Sequence, residues 1–195
     1  MSVVQVAWSM YLRKLQAKPV QTKALTAAGI QTCSDVLAQR ISGSKQLNLR
    51  RTGLMALFGL LWAGPSLHYW QQFLEKSFRG RKQSLRLVIE KACLDQSIYG
   101  PAANLTMMAF ITLCIEKKPL EYLKDKVKKQ FVSVQLNAWK IWPVASLVNY
   151  SFVPPSLRVL FMNCVGFMWS TFLIYTSQGK GSSGSAIRKK KEQKD

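Results

Sequence analysis

The sequence predicts an all-α fold: a multi-span transmembrane helical bundle with amphipathic helices at its edges. Two observations carry this. Residues 53–74, 96–115, 141–157 and 159–179 contain no Lys, Arg, Asp or Glu, and a hydrocarbon core of roughly 30 Å is crossed by roughly 20 helical residues. The charges that these runs lack are gathered between them in dense Lys/Arg clusters. A mean hydropathy of only +0.01 therefore averages two unlike kinds of segment.

The chain of 195 residues suits one compact domain over 1–177, followed by a basic tail over 178–195. That tail, Gly/Ser-rich and then charged, reads as disordered. The expected spans are 22–41, 52–75, 92–115 and 156–177, with a tilted or re-entrant helical segment over 131–152.

Taking the elements in order, Val4, Trp8, Tyr11, Leu12 and Leu15 fall on one helical face, so 3–17 reads as an interfacial helix. The first span, 22–41, has poor hydropathy because Asp35 and Gln39 lie within it. Its small residues Ala24, Ala27, Ala28 and Gly29 favour close helix–helix approach, which places it inside the bundle. The second span holds Gly64-Pro65 and the third Gly100-Pro101. A proline inside a helix removes one backbone hydrogen bond, so Pro65 and Pro101 are expected kinks, as is Pro143. Over 119–130, Leu120, Leu123 and Val127 recur against Lys124, Lys126, Lys128 and Lys129, as in a helix lying among headgroups. In 131–152, Lys140 sits between Trp139 and Trp142. A lysine facing lipid at mid-depth costs at least ~2.5 kcal/mol, so Lys140 should snorkel, pair or face a cavity.

The charge balance excludes less than it suggests. A net charge of +19 raises nucleic acid as a partner, but the basic residues flank apolar runs where cations meet lipid phosphates, and form no continuous stripe. Anionic headgroups are the expected partners, and nucleic acid is not. Cys33, Cys93, Cys114 and Cys164 lie far apart and His68 is the sole histidine, so neither a metal site nor a nucleophile–imidazole pair is indicated. The cysteines read as buried, reduced thiols. No enzyme activity and no cofactor are expected. No cleavable secretory signal is apparent in the first residues. Basic residues balance across alternate loops, so the positive-inside rule assigns no orientation.

Charged and amide side chains within spans need partners or water. Here they are Asp35, Gln39, Asp95, Gln96, Asn104, Asn137, Lys140, Asn149 and Arg158. One reading is a set of internal pairs that fixes helix packing, with Asp95 joined to Lys91 and Asp35 to Lys140 or Arg158. The other is a partly hydrated interior, in which Asp35, Gln39, Asp95, Gln96, Asn104, Lys140, Asn149 and Arg158 line a polar path. On either reading, Asp35, Asp95, Lys140 and Arg158 should face inward.

Several motifs at fixed spacing resemble one family. They are Tyr11-Leu12-x-x-Leu15 with Pro19 and Thr22-Lys23-Ala24; Arg50-Arg51 ahead of Gly64-Pro65-x-x-His68-x-Trp70; and Lys91-x-x-x-Asp95-Gln96 with Pro101. The most specific is Trp139-x-x-Trp142-Pro143, Asn149-Tyr150-x-x-Val153-Pro154, Arg158-Val159 and Trp169. Together they are similar to the 22-kDa peroxisomal membrane proteins and their Mpv-type relatives of the inner mitochondrial membrane. The resemblance implies a small helical-bundle channel for small water-soluble solutes, with homo-oligomers possible. Thr22-Lys23-Ala24 and Ser34-Asp35-Val36 look more like the peroxisomal branch, with the mitochondrial inner membrane as the alternative. The rival function is a membrane scaffold that passes no solute.

Overall fold

In a computed structural model, described for residues 2–43, 46–169 and 171, all the regular structure of the described residues is helical. The proposed disordered tail over 178–195 and the end of the last expected span lie outside the described residues.

Helix α1, Val3–Ala17, opens with a capping box in which Ser2 and Gln5 exchange hydrogen bonds. Helix α2, Pro19–Ile41, starts at the proline that closes α1, since proline fits the first helical turn without losing a hydrogen bond. Helix α3, Leu49–Phe58, is capped by the Asn48 side chain, which accepts from the Arg51 amide. It runs through a π-helical turn, Gly59–Ala63, into α4, Gly64–Ser77. Helix α5, Leu85–Leu94, passes through a second π-turn, Asp95–Tyr99, into α6, Gly100–Phe110, and ends in a third, Ile111–Ile115.

A π-turn precedes each of the first two expected kink sites. Pro65 and Pro101 each sit at the start of the α-segment that follows a π-turn. The wider turn absorbs the hydrogen bond the proline cannot donate, so the helix continues instead of breaking. Pro143, expected as a kink, instead lies in the first turn of α8, Trp142–Phe152.

The segment 119–152 is also organised differently from expectation. Helix α7 runs unbroken over Leu120–Ala138, so no separate interfacial helix ends near 130. The break falls at 139–141, and α8 follows. Helix α9, Arg158–Trp169, is apolar but short. Among the described residues one helix, Leu85–Ile115, is long and apolar enough to cross a membrane.

Helix α2 packs along α3, the first π-turn and α4, and small residues set the distance. A Cβ added at Gly59 would lie 2.7 Å from the Ala28 Cα, and one at Gly64 would lie 2.6 Å from the Ala24 Cα. The small face read from Ala24, Ala27 and Ala28 is therefore the contact face, and its counterpart is a pair of glycines. Gly29 points the other way, with nothing near it. Helix α5 packs on α8 and α6 on α7. One apolar cluster joins Leu74, Val88, Ala92 and Tyr150; another joins Leu67, Val159 and Met162. Successive long helices run antiparallel: Arg50 at the start of α3 donates to the Cys114 carbonyl at the end of the α5–α6 helix. The end of α2 meets the same face, and Glu75, Lys91 and Arg158 meet at the opposite one.

Candidate functional site: a cavity beside a buried charge cluster

At the first face, Asp35 is buried on α2 and gathers three donors. Arg51 Nε lies 2.7 Å from its Oδ1, while Thr52 Oγ1 and Gln39 Nε2 lie 2.7 and 2.6 Å from its Oδ2. Gln39 also accepts from the Asn48 amide at 2.6 Å, which ties the start of α3 to the end of α2. Asp35 and Gln39 lie one helical turn apart and meet Arg51 and Thr52 only because α3 folds back along α2. The expected pairing of Asp35 with Lys140 or Arg158 is thus corrected: its cation is Arg51.

From this cluster a cavity of about 530 Å³ extends inward. Its wall includes Asp35, Arg51, Asn104 and Gln135, and its inner end includes Asp95, Gln96 and Tyr99. Asn104 donates to Gln135 Oε1 at 2.9 Å, holding α6 to α7. Apolar residues such as Met55, Phe58, Met107 and Trp142 complete the lining.

Asp95 lies in the second π-turn, where the widened helix presents it toward α4 and α8. Trp70 Nε1 donates to its Oδ1 at 2.5 Å and Ser146 Oγ to its Oδ2 at 2.9 Å. Gln96 donates to the same Ser146 hydroxyl at 3.1 Å. No described cation bonds Asp95, so neutral donors alone hold it. The expected partner, Lys91, instead donates to Glu75 Oε1 at 2.7 Å.

Glu75 also accepts from Arg158, so one carboxylate joins two cations. The side chains of Lys91 and Arg158 are each only 7% exposed. The Tyr150 ring packs against both cations, 5.3 Å from Arg158 and 5.9 Å from Lys91. Its hydroxyl accepts from Gln71 at 3.3 Å. Tyr150 therefore belongs to the charge cluster at the second face. Beside it, Asn149 is fully buried and neither atom of its amide has a partner among the described residues. Such a group calls for water.

Of the residues singled out in the sequence, Asp35, Asp95, Gln96 and Asn104 line the cavity. Gln39, Asn149 and Arg158 are buried outside its wall. Lys140 contradicts the expectation that it faces inward: it is exposed in the α7–α8 break and donates to Asn137 Oδ1 at 2.8 Å. The break lets the lysine turn away from the core without interrupting a helix. The four cysteines are unpaired but exposed, not buried. His68, by contrast, is buried against Lys23, with Nδ1 and Nζ 3.2 Å apart.

Sequence reading missed Glu75, Gln135 and Ser146, and named Arg51 and Tyr150 only as motif residues without a role in the site. Arg51 and Glu75 lie just outside the charge-free run 53–74, so a search within spans passes them over. For Ser146 and Gln135 the available signal was position: Ser146 shares a helical face with Asn149 and Tyr150, and Gln135 lies one turn before Trp139.

These features define a small protein, helical throughout its described regular structure, with a mostly apolar, partly open cavity into which a few buried polar and charged groups reach. Comparison with known proteins gives the family. The Mpv17 / PMP22 family profile matches residues 113–174. The chain is 36% identical to the Arabidopsis thaliana peroxisomal membrane protein PMP22, over 84% of this chain and 85% of that protein. It is 33% identical to the Dictyostelium discoideum PXMP2/4 family protein 2, over 89% and 92%. It is 30% identical to the mitochondrial inner membrane protein Mpv17 of Caenorhabditis elegans, over 85% and 90%. The chain belongs to the Mpv17/PMP22 family of peroxisomal and mitochondrial membrane proteins; the plant relative is peroxisomal, in line with the expected compartment, and the nematode relative mitochondrial, in line with the alternative. No solved structure matches it.

Proposed function

We propose that this protein forms a weakly selective channel for small water-soluble metabolites across the peroxisomal membrane. The observation that supports it best is the cavity of about 530 Å³, with Asp35 and Arg51 at one end and Asp95 and Gln96 at the other. A closed bundle that needed polar groups only for packing would bring them into contact, with no space between. On this reading α2, the α3–α4 helix and the α5–α6 helix cross the bilayer, the segment that begins with α9 crosses it last, α7 and α8 cross it together as a broken pair, and α1 lies at the interface. Solutes enter from the Asp35 face, and selectivity follows cavity width and the charge of its wall. The protein is not an enzyme and does not bind nucleic acid; its basic loops meet anionic headgroups, and copies associate within the membrane.

Purified protein in liposomes tests this. Wild type should release small sugars and organic ions while retaining larger polymers, and Met107→Trp, which fills the cavity, should slow release. Absence of release at densities where a known porin conducts would overturn the channel reading. A scaffold is the alternative, supported by the saturation of Asp35 and Glu75 with internal donors. It would leave helix association intact and transport absent.

A further inference from the structure

The outer wall of the cavity carries a second feature, on the side turned away from the bundle. Between α4 and α6 lies an open apolar groove of about 410 Å³. Trp62, Tyr69 and Phe73 form one bank, and Tyr99, Ala102 and Ala103 the other bank and floor. The aromatic bank is substantially exposed: Tyr69 by 59%, Phe73 by 54% and Trp62 by 45%. Ser66 bonds the Tyr99 hydroxyl at 3.1 Å across the bottom, and both residues belong also to the cavity wall.

The groove has a definite depth. From Trp62 to Phe73 the helix rises ~16 Å, close to the ~15 Å of one hydrocarbon leaflet, half of a ~30 Å core. It begins near the middle of the charge-free run 53–74 and ends at its boundary. On the second helix, Tyr99 to Ala103 lie in the half of the run 96–115 nearer the same face. The groove therefore occupies one leaflet.

At its mouth stand cations. Trp62, Ser66, Tyr69, Phe73 and Lys76 follow one another at intervals of three or four along one stripe of the helix. Arg79 follows in the turn just beyond the end of α4. Both Lys76 and Arg79 are exposed, and no described acidic side chain pairs with either. The neighbouring carboxylates are taken: Glu75 by Lys91 and Arg158, and Glu90 by Arg81 and Arg86. An apolar slot one leaflet deep, ending at two free cations, fits one molecule in both parts. We infer that the groove binds a single acyl chain of an anionic phospholipid, with the headgroup phosphate on Lys76 and Arg79. A second copy of the chain fits poorly, because parallel copies meeting here would bring Lys76 and Arg79 against their own equivalents. Bound there, the lipid chain backs the Ser66–Tyr99 bridge and closes the side of the cavity toward the bilayer.

The test is photolabelling of the full-length protein in phosphatidylcholine vesicles containing either a phosphatidylserine or a phosphatidylcholine probe with the same diazirine-bearing chain. The phosphatidylserine probe should label peptides covering 62–73 and 99–103 about tenfold more than the phosphatidylcholine probe, as expected for two cations near the headgroup. In Lys76→Glu/Arg79→Glu that preference should vanish. In Ala102→Phe, which fills the floor, labelling of both peptides should be lost while labelling elsewhere on the protein persists. Equal labelling by the two probes, or a preference that survives the charge reversal, would overturn the assignment. So would covalent dimers formed through the α4 face in place of lipid adducts. The double variant changes only exposed residues, so it remains informative even if Ala102→Phe fails to fold. Labelling does not depend on conduction, and its outcome is separable from that of the channel reading.

Discussion

Arg158, in the first turn of α9, donates to Glu75, near the end of α4, across 83 positions of sequence. Lys91 shares the same carboxylate. The cluster carries one more positive than negative charge, and Glu75 is the group that makes burial of both cations tolerable.

Glu75→Gln should therefore destabilise the protein by about 3 kcal/mol, the lower end for breaking a buried pair, because Glu75 is itself partly exposed. Arg86→Ala, which removes a largely exposed partner of Glu90, should cost less than about 1 kcal/mol. Chemical unfolding in detergent micelles, followed by circular dichroism, measures both. Equal effects would mean that the cluster at the second face is not closed as described.

The α2–α4 contact gives a prediction in which the sign is informative. In an exposed helix interior, Gly→Ala stabilises by roughly 1 kcal/mol. At Gly64 the added carbon would meet the Ala24 backbone at 2.6 Å, so Gly64→Ala should instead destabilise by about 1–3 kcal/mol. Gly29→Ala, which adds its methyl to open space, should not. A stabilised Gly64→Ala protein would refute the close packing.

Arg51 and Asp35 are unequal partners: the Arg51 side chain is 46% exposed and that of Asp35 only 1%. Removing the arginine leaves a buried carboxylate held by Thr52 and Gln39 alone. Arg51→Ala should accordingly lower the melting temperature clearly, and Arg51→Ala/Asp35→Asn should recover much of the loss. Additive losses in this double-mutant cycle would rule out coupling between the two.

Selectivity provides the fourth prediction, which rests on the channel reading. Asp95 is a carboxylate at the inner end of the cavity held by neutral donors. Asp95→Asn should reduce the cation-over-anion permeability ratio in planar bilayers with little change in helix content. Lys140→Glu, a larger charge change at an exposed loop outside the cavity wall, should leave the ratio near that of wild type. A stronger effect from Lys140 than from Asp95 would move the path elsewhere.

The division between what was legible in the chain and what was not follows from the range of the forces involved. Helical structure around the runs 53–74 and 96–115 was readable, because the rule against charge in hydrocarbon acts along a single segment. The tight face of Ala24, Ala27 and Ala28 was readable for the same reason, since side-chain size is a local property. The burial of Asp35, Asp95 and Arg158 followed from the cost of exposing them to lipid. Their partners did not follow. Helical spacing states which side of a helix a residue occupies but not which neighbour faces it, so the bonds of Arg51 to Asp35 and of Lys91 and Arg158 to Glu75 were set only when the helices assembled. Lys140 was misread because a break at 139–141, invisible to periodicity, turned it outward. Pro65 and Pro101 marked irregular points in their helices, but the π-turn before each, which in the second case aims Asp95 into the core, was not readable. Sequence by itself determined which groups must be hidden from lipid; the tertiary structure decided what they are hidden against, because pairing is a property of two helices and not of one.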